Sequence, residues 1–317
     1  MTIPRDPRRW RVGLVGYGEV GRILAEDLRK QEVAVAAYDV KLGTSADAPL
    51  RQHAAQHNVS FAASHAELAS YSDFIVSAVT ASQTVAVAES CAPAVKRDAF
   101  VLDFNSASPG AKIKASGLIE AGGARYVEGA VMNAIAPYRI RVPLLLGGPS
   151  AAALQPLLLA LGFDATVASE KLGVASATKM CRSVMVKGLE AMVIESFTAA
   201  RAYGVEDQVV ASLAETFPGI DWEKQGAYFF QRVIQHGRRR AEEMREAAAT
   251  VREAGLEPWS AAGTAERQAW MADLADARVF AESDRVRSGW RDDADRVLDA
   301  VKSGSSVRLQ PDAKVRG

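Results

Sequence analysis

A glycine-rich turn near the amino terminus constrains the fold more than any other stretch of the sequence. It lies in WRVGLVGYGEVGRILAEDLRK, where a short apolar run ends at a glycine loop that leads directly into an amphipathic helix. The glycines follow the spacing G-x-G-x-x-G at Gly16, Gly18 and Gly21. The first permits a tight turn, the second admits a pyrophosphate close to the backbone, and the third lets the helix pack on the strand. The pattern predicts a dinucleotide site in which phosphates meet the start of the helix, at Glu19 and Val20.

A second apolar run, Val33 to Tyr38, ends at Asp39, close to the offset of about 20 residues at which an acidic residue binds ribose hydroxyls. Such a carboxylate repels a 2′-phosphate and therefore favours NAD over NADP. Lys41 weakens this preference, because its ammonium group can neutralise Asp39 or bind a phosphate. The alternative is a glycine-rich strand-to-helix turn that binds no ligand.

Short apolar runs continue to alternate with helical stretches as far as about residue 168, which predicts a mostly parallel sheet with helices on both faces. In such sheets ligands bind beyond the carboxyl ends of the strands. Three residue pairs, each with at least one polar member, lie at the ends of predicted strands, namely Val79-Thr80, Asn105-Ser106 and Met132-Asn133. We expect Val79, Thr80 and Asn105 to contact the cofactor, and Ser106, Met132 and Asn133 to contact the substrate. Each pair is also compatible with ordinary turn chemistry.

The segment from Gly173 to Gly204 has no proline and is rich in Ala, Met, Leu, Glu and Lys, so it predicts one helix about 45 Å long. Apolar residues, with Met185 and Met192 among them, cover most of its circumference, which is typical of a buried helix. One polar stripe recurs at steps of three or four residues: Ser176, Lys179, Ser183, Lys187 and Glu190. This stripe is either a solvated face or the wall of a ligand cleft.

After this segment the sequence predicts only helices, over Glu206 to Thr216, Trp222 to His236, Arg239 to Ala254, Ala261 to Ala281 and Asp284 to Val301, with Gly237 as one of the breaks. We therefore predict an α/β fold: a Rossmann-type domain over residues 1–170 and an all-α domain over residues 171–317, joined by the long helix. Arg238, Arg239 and Arg240 are either a solvated helix face or a clamp for an anionic group.

Composition narrows the function classes. The 317 residues include 38 acidic and 38 basic side chains, which gives no indication of nucleic acid or a membrane surface as partner. Cys91 and Cys181 are too few for a disulfide framework, and no metal site is expected. Without a signal sequence or a long apolar run, we expect a cytoplasmic protein. Numerous aromatic residues in the helical half predict a homodimer through that domain; the alternative is that they fill the domain's own core.

The constellation resembles the β-hydroxyacid dehydrogenase family, which includes 3-hydroxyisobutyrate and 6-phosphogluconate dehydrogenases. GLVGYGEVG stands at the family's nucleotide fingerprint, DFNSASP is similar to its D-x-S-T-x-x-P segment, and GVASATKMCRS is similar to its G-x-x-x-x-x-K-x-x-N-N segment. The HGRRRAEEMREAAATVREAGLEP stretch is closest to a poorly characterised 6-phosphogluconate dehydrogenase-like branch with its own helical domain. The resemblance places the catalytic lysine at Lys179 and implies a nicotinamide cofactor.

Three departures change the pocket that the resemblance implies. Arg182 and Ser183 replace the two family asparagines, Asn105-Ser106 replaces S-T, and EGAVMNA replaces the family's D-A-P-V-S-G-G loop. An added cation and a bulky Met132 imply a differently shaped and charged substrate site.

The resemblance implies reversible oxidation of an alcohol that bears an acidic group. Lys179 would accept the hydroxyl proton, while Ser183 and Asn105 would orient the reacting groups. Arg182, Lys187 and Arg239 would bind the acidic group. Two alternatives are an NADPH-dependent imine reductase, whose family generally lacks this lysine, and a nucleotide-sensing protein without catalytic activity.

Overall fold

A computed structural model describes residues 3–280 and 289–303 of the chain. Its described part contains eight strands in one sheet: β1 Arg11–Val15, β2 Ala34–Tyr38, β3 Ser60–Phe61, β4 Phe74–Ser77, β5 Phe100–Asp103, β6 Arg125–Val131, β7 Leu144–Gly147 and β8 Ala165–Ser169. The helices are α1 Glu19–Arg29, α2 Asp47–Gln56, α3 His65–Tyr71, α4 Thr84–Cys91, α5 Pro109–Ala121, α6 Ile135–Tyr138, α7 Ala151–Ala160, α8 Val174–Tyr203, α9 Glu206–Thr216, α10 Trp222–Glu253, α11 Trp259–Asp276 and α12 Trp290–Lys302. The predicted start of the last helix at Asp284 lies outside the described residues.

The sheet has the strand order β3-β2-β1-β4-β5-β6-β7-β8, and only the β6–β7 pair is antiparallel among the described strands. The chain reverses its winding direction between β1 and β4, and this point is where ligands bind in sheets of this type. Strands β1, β2, β4, β5 and β6 all run parallel, so their carboxyl ends meet at one edge. The predicted Rossmann-type, mostly parallel sheet is confirmed.

Two apolar cores sandwich this sheet because side chains along a strand alternate between its faces. From β1, Val12 and Leu14 pack on one face with Leu24 of α1 and Leu154 of α7. Val15 points to the opposite face, which α3, α4 and α5 cover. The strands are buried on both sides, which explains why they read as short, nearly continuous apolar runs.

The chain divides into two compact units, residues 1–181 and 182–317, and the division falls inside α8. The sequence-based domain boundary, between residues 170 and 171, lies just before α8. The second unit is entirely helical over its described residues, and its core joins Phe197 of α8, Phe230 of α10, Met271 of α11 and Trp290 of α12. In the part of the chain that the structure describes, no helix is long and apolar enough to cross a bilayer.

Helix α8 is the single long helix that the sequence predicts, but most of its polar stripe is buried and some of its apolar residues are exposed. Four of the five polar-stripe residues are buried, at Ser176, Ser183, Lys187 and Glu190, whereas Met185 and Met192 are 73% and 62% exposed. The solvated-face interpretation of the stripe is therefore wrong. The reason is that other segments supply partners: Glu190, for example, pairs with Arg240 of α10.

Gly237 does not break a helix, because it lies inside α10, a single helix of 32 residues. A Cβ atom at Gly237 would lie 2.7 Å from the carbonyl oxygen of Gln268 and 3.2 Å from Cβ of Ala272, both on α11. The glycine thus lets two helices approach closely, and the predicted break at this position is wrong.

Candidate functional site

The glycine loop has the conformation that its spacing predicts. Gly16 adopts φ +91°, and its N–H donates to the carbonyl oxygen of Tyr38 at 2.9 Å, which ties the loop to β2. A Cβ at Gly21 would lie 2.1 Å from the carbonyl oxygen of Gly16, so only glycine lets α1 pack this closely on the turn. A Cβ at Gly18, by contrast, would meet no described atom within 4 Å. The space above Gly18 at the start of α1 is open where the sequence predicts a pyrophosphate, with Glu19 exposed and Val20 half-buried beside it.

Asp39 follows β2 and lies next to the glycine loop. Its Oδ2 accepts the N–H of Tyr17 at 2.7 Å and its Oδ1 accepts the N–H of Lys41 at 2.9 Å. The carboxylate is 8% exposed, while the Lys41 side chain is exposed. Asp39 is therefore fixed against the glycine loop at the end of β2, where a carboxylate that binds ribose belongs.

Asn105 joins the ends of two neighbouring strands. Its Oδ1 accepts the N–H of Val79 at 2.8 Å, and its Nδ2 donates to Oγ of Ser77 at 3.0 Å. The side chain is 3% exposed, and Thr80 alone of the predicted Val79-Thr80 pair is exposed. Both polar ends of Asn105 thus hold the edge of the sheet together, which favours a positioning role over direct catalysis.

Lys179 and Ser106 meet although 73 residues separate them in the sequence. Nζ of Lys179 donates to Oγ of Ser106 at 2.6 Å, and both side chains are half-buried. Ser106 follows β5 at the carboxyl edge of the sheet, and Lys179 lies in the second turn of α8. Two residues taken from separate motifs therefore form one polar pair within the sheet-containing unit.

The start of α8 is anchored by Glu128, which sequence reasoning did not assign. Its Oε1 accepts the N–H groups of Gly173 at 2.8 Å and Ala175 at 3.1 Å, and its Oε2 accepts the hydroxyl of Ser176 at 2.8 Å. A carboxylate at a helix amino terminus satisfies free N–H groups and complements the helix dipole. Glu128 thereby fixes the first turn of α8, one turn before Lys179. The available signal was an acidic residue in the middle of strand β6, directly after Val127.

A buried cluster beneath the Asn105-Ser106 turn was also missed. Asp103 pairs through Oδ1 with Nζ of Lys112 at 2.8 Å, and its Oδ2 accepts the hydroxyl of Tyr126 at 2.6 Å. Oδ1 further accepts the N–H of Asn105 at 2.8 Å, so the cluster shapes the turn itself. Burial and the neighbouring Asp103 carboxylate raise the pKa of Tyr126 well above its ordinary value. The phenol therefore stays protonated and donates to Asp103.

The remaining predicted substrate residues are spread over both units. Met132 is half-buried and Asn133 exposed after β6, and Arg182 is exposed at the start of the helical unit. Lys187 is buried, donates to Oγ of Ser183 at 3.0 Å and pairs with Glu243 of α10 at 2.9 Å. Ser183 and Lys187 thus belong to an internal polar cluster of the helical unit, and their roles toward a substrate stay predictions.

Two of the three consecutive arginines stabilise the helical unit. Arg238 pairs with Asp273 and Asp276 of α11, and buried Arg240 donates through Nε to Glu190 at 3.1 Å. Arg239 is 52% exposed and lies 3.9 Å from Glu243. Arg238 and Arg239 are both exposed to solvent, and Arg239 has the longer, weaker carboxylate contact of the two.

Comparisons with known proteins agree with this arrangement. Residues 11–167 match the NAD binding domain of 6-phosphogluconate dehydrogenase, and residues 200–271 match a domain of unknown function (DUF1932). A conserved hypothetical protein from Sinorhizobium meliloti 1021 is 35% identical, with 91% of this chain and 96% of that chain covered and a TM-score of 0.73. A conserved protein of unknown function, described as structurally similar to 3-hydroxyacid dehydrogenases, is 28% identical over 84% of this chain and 98% of that chain, with a TM-score of 0.65.

A more distant structure, 3-hydroxyisobutyrate dehydrogenase from Mycobacterium tuberculosis with L-serine, shares the fold alone. It is 15% identical over 91% of this chain and 99% of that chain, with a TM-score of 0.61. The sheet, the glycine loop and the similarity to these proteins together define an NAD(P)-binding protein with a 3-hydroxyacid dehydrogenase-like fold. The chain belongs to the β-hydroxyacid dehydrogenase family, in a poorly characterised branch whose helical region carries the domain of unknown function.

Proposed function

We propose that the protein is an NAD(P)-dependent oxidoreductase of the β-hydroxyacid dehydrogenase type. Its substrate is a small alcohol, or the corresponding carbonyl compound, that carries an acidic group. The observation that carries this proposal is the 2.6 Å contact between Nζ of Lys179 and Oγ of Ser106. It brings a potential proton acceptor and a hydroxyl group together at the sheet edge where the glycine loop also ends.

The residues at the loop fit a dinucleotide, as the open space above Gly18 and the position of Asp39 indicate. A bound nicotinamide cofactor supplies the hydride chemistry. The chain itself supplies proton transfer and positioning. In its neutral form Lys179 accepts the proton of the substrate hydroxyl at Nζ, and it returns that proton in the reverse direction. Ser106 holds Nζ in place and offers a second hydrogen bond to the substrate oxygen.

The buried groups around this pair keep it rigid. Glu128 fixes the first turn of α8, and Asp103 with Lys112 fixes the turn that carries Ser106. Catalytic groups held by such partners lose little conformational freedom when substrate binds. Arg182, which follows Lys179 on α8 and is exposed, is our candidate for binding the acidic group of the substrate, because guanidinium pairs with carboxylate or phosphate in a bidentate manner.

The test is a panel of hydroxy acids, semialdehydes and imines, assayed with both NAD and NADP in the oxidised and reduced forms. We expect turnover of one or more acidic alcohols or their carbonyl partners. Turnover confined to imines would replace the proposal with an imine reductase. Cofactor binding at one equivalent with no turnover across the panel would replace it with a nucleotide-sensing role.

A further inference from the structure

Three potential metal ligands cluster beside Tyr17 of the glycine loop. Glu26 lies on α1, His53 lies on α2, and His57 is the residue that caps the end of α2. One ligand atom from each lies within 4.8 Å of the other two, and all three side chains are half-buried. Oε1 of Glu26 is 3.0 Å from Nε2 of His53, and the two imidazole rings lie 4.5 Å apart at their centres. The two histidine rings therefore lie side by side at the end of α2, which suits joint ligation.

Neighbouring groups hydrogen-bond to these side chains and orient them, as the hydrogen-bond partners of metal ligands do in known metal sites. The hydroxyl of Tyr17 lies 3.0 Å from Nδ1 of His53, so that ring is held at both nitrogens. Arg139 binds the far oxygen of Glu26, Oε2, at 2.6 Å and leaves Oε1 directed at the histidines. Arg29 donates from Nε to the carbonyl oxygen of His57 at 3.3 Å, which holds the end of α2.

We propose that Glu26, His53 and His57 bind a first-row divalent cation of the Zn²⁺ class. Two imidazoles and one carboxylate are ligands that Zn²⁺ accepts in a tetrahedral site with water in the fourth position, whereas Mg²⁺ and Ca²⁺ prefer oxygen. Metal–ligand bonds of about 2.0–2.1 Å place ligand atoms roughly 3.3 Å apart in a tetrahedron. The half-buried side chains reach this spacing from 4.8 Å or less by rotation about their side-chain bonds.

The position of the His53 ring proton and the charges near Glu26 are compatible with metal binding. When Nε2 of His53 binds the cation, its ring proton resides on Nδ1 and is donated to the hydroxyl oxygen of Tyr17. The hydroxyl oxygen of Tyr17 lies 3.0 Å from Nδ1 and accepts this proton through a lone pair. Arg139 and Lys30 lie on the Glu26–Asp27 side, where Arg139 also pairs with Asp27, so their positive charges are already neutralised by these carboxylates.

The site connects directly to the nucleotide loop. Tyr17 stands between Gly16 and Gly18, its ring is fully buried, and its N–H donates to Asp39. A cation on His53 therefore fixes Tyr17 from behind the loop. This role lies beyond the proposed oxidoreductase activity and is measured without turnover.

The test is a titration of untagged, metal-free protein with Co²⁺, followed by its visible absorption bands, with Zn²⁺ as competitor. We expect one equivalent to bind and the melting temperature to rise with metal concentration, since a ligand bound only to the folded state stabilises it. His57→Gln and Glu26→Gln should each weaken binding by about 10-fold or more, and Tyr17→Phe by about 10–100-fold. His65→Ala, which changes another histidine of the same unit, should leave binding unchanged.

Melting curves of the metal-free variants identify any that do not fold, and Tyr17→Phe then serves as an independent test because it removes no ligand. Absence of stoichiometric Co²⁺ binding by the native protein would overturn the proposal. So would binding that survives unchanged in both His57→Gln and Glu26→Gln.

Discussion

We expect cofactor choice to depend on Asp39. Its carboxylate is fixed by two backbone N–H groups at the end of β2, so it cannot swing away from an added 2′-phosphate without breaking both bonds. We therefore expect NADH to bind more tightly than NADPH, by about tenfold or more, which corresponds to roughly 1.4 kcal/mol. Fluorescence titration of both reduced cofactors measures the difference.

Asp39→Asn keeps an acceptor for one of these N–H groups but removes the charge. The difference between the dissociation constants of NADH and NADPH should therefore become smaller. Glu89→Gln, on the surface of α4, is the matched control and should leave the preference as it is. Tighter binding of NADPH to the native protein would contradict the assignment and point to Lys41 as a phosphate ligand.

The sequence singled out Gly16, Asp39 and Ser106 by their places after predicted strands, and Lys179 through the family resemblance. It did not predict how these residues are held. Glu128 and Asp103 carry out that function through partners 45 and 23 residues away, at Gly173 and Tyr126. Such long-range pairs follow from the folded sheet and leave no local pattern in the sequence.

Among the helices, α10 shows that a glycine predicted to end a helix can instead lie inside it. Gly237 and Gly263 both lie inside helices, yet only Gly237 faces a neighbouring backbone, that of α11. Local propensity treats both as weak points, whereas packing makes one of them necessary. For the same reason the buried stripe of α8 was not foreseen: the partners of Glu190 and Lys187 come from α10, about 50 residues further along the chain.

Gly237→Ala should destabilise the protein by about 1–3 kcal/mol, because the new methyl group would overlap the carbonyl oxygen of Gln268. Gly263→Ala is the matched control, since no described atom lies within 4 Å of its Cβ and alanine favours the helix. It should stabilise by about 0.4–1 kcal/mol. Urea unfolding of the two variants checks both signs, and equal effects would refute the packing account of Gly237.

At the scale of the whole molecule, α8 exposes an apolar stripe. Met185, Met192 and Tyr203 are 73%, 62% and 83% exposed, and helical geometry places them within about 20° of one line some 27 Å long. Exposed apolar stripes of this kind mark association surfaces. We propose that a second copy of the chain covers this stripe to form a homodimer through the helical domain.

Light scattering should give a mass near twice the 33.8 kDa of the chain. The double change Met185→Glu and Met192→Glu should shift the protein toward monomer, because it would bury charge in the interface. Leu159→Glu, at an exposed apolar position on α7, should not. A native protein that stays monomeric at micromolar concentration would rule out the dimer.

In the proposed mechanism Lys179 transfers the proton, so replacing this lysine is the decisive experiment. With an active substrate in hand, Lys179→Ala should lower kcat by about 10²-fold or more, the usual contribution of general acid–base catalysis, while the cofactor dissociation constant changes little. Lys179→Arg should not restore activity, because guanidinium does not release its proton. Lys171→Ala, at an exposed lysine just before α8, should behave like the native enzyme. A Lys179→Ala enzyme that kept most of its kcat would contradict the dehydrogenase mechanism.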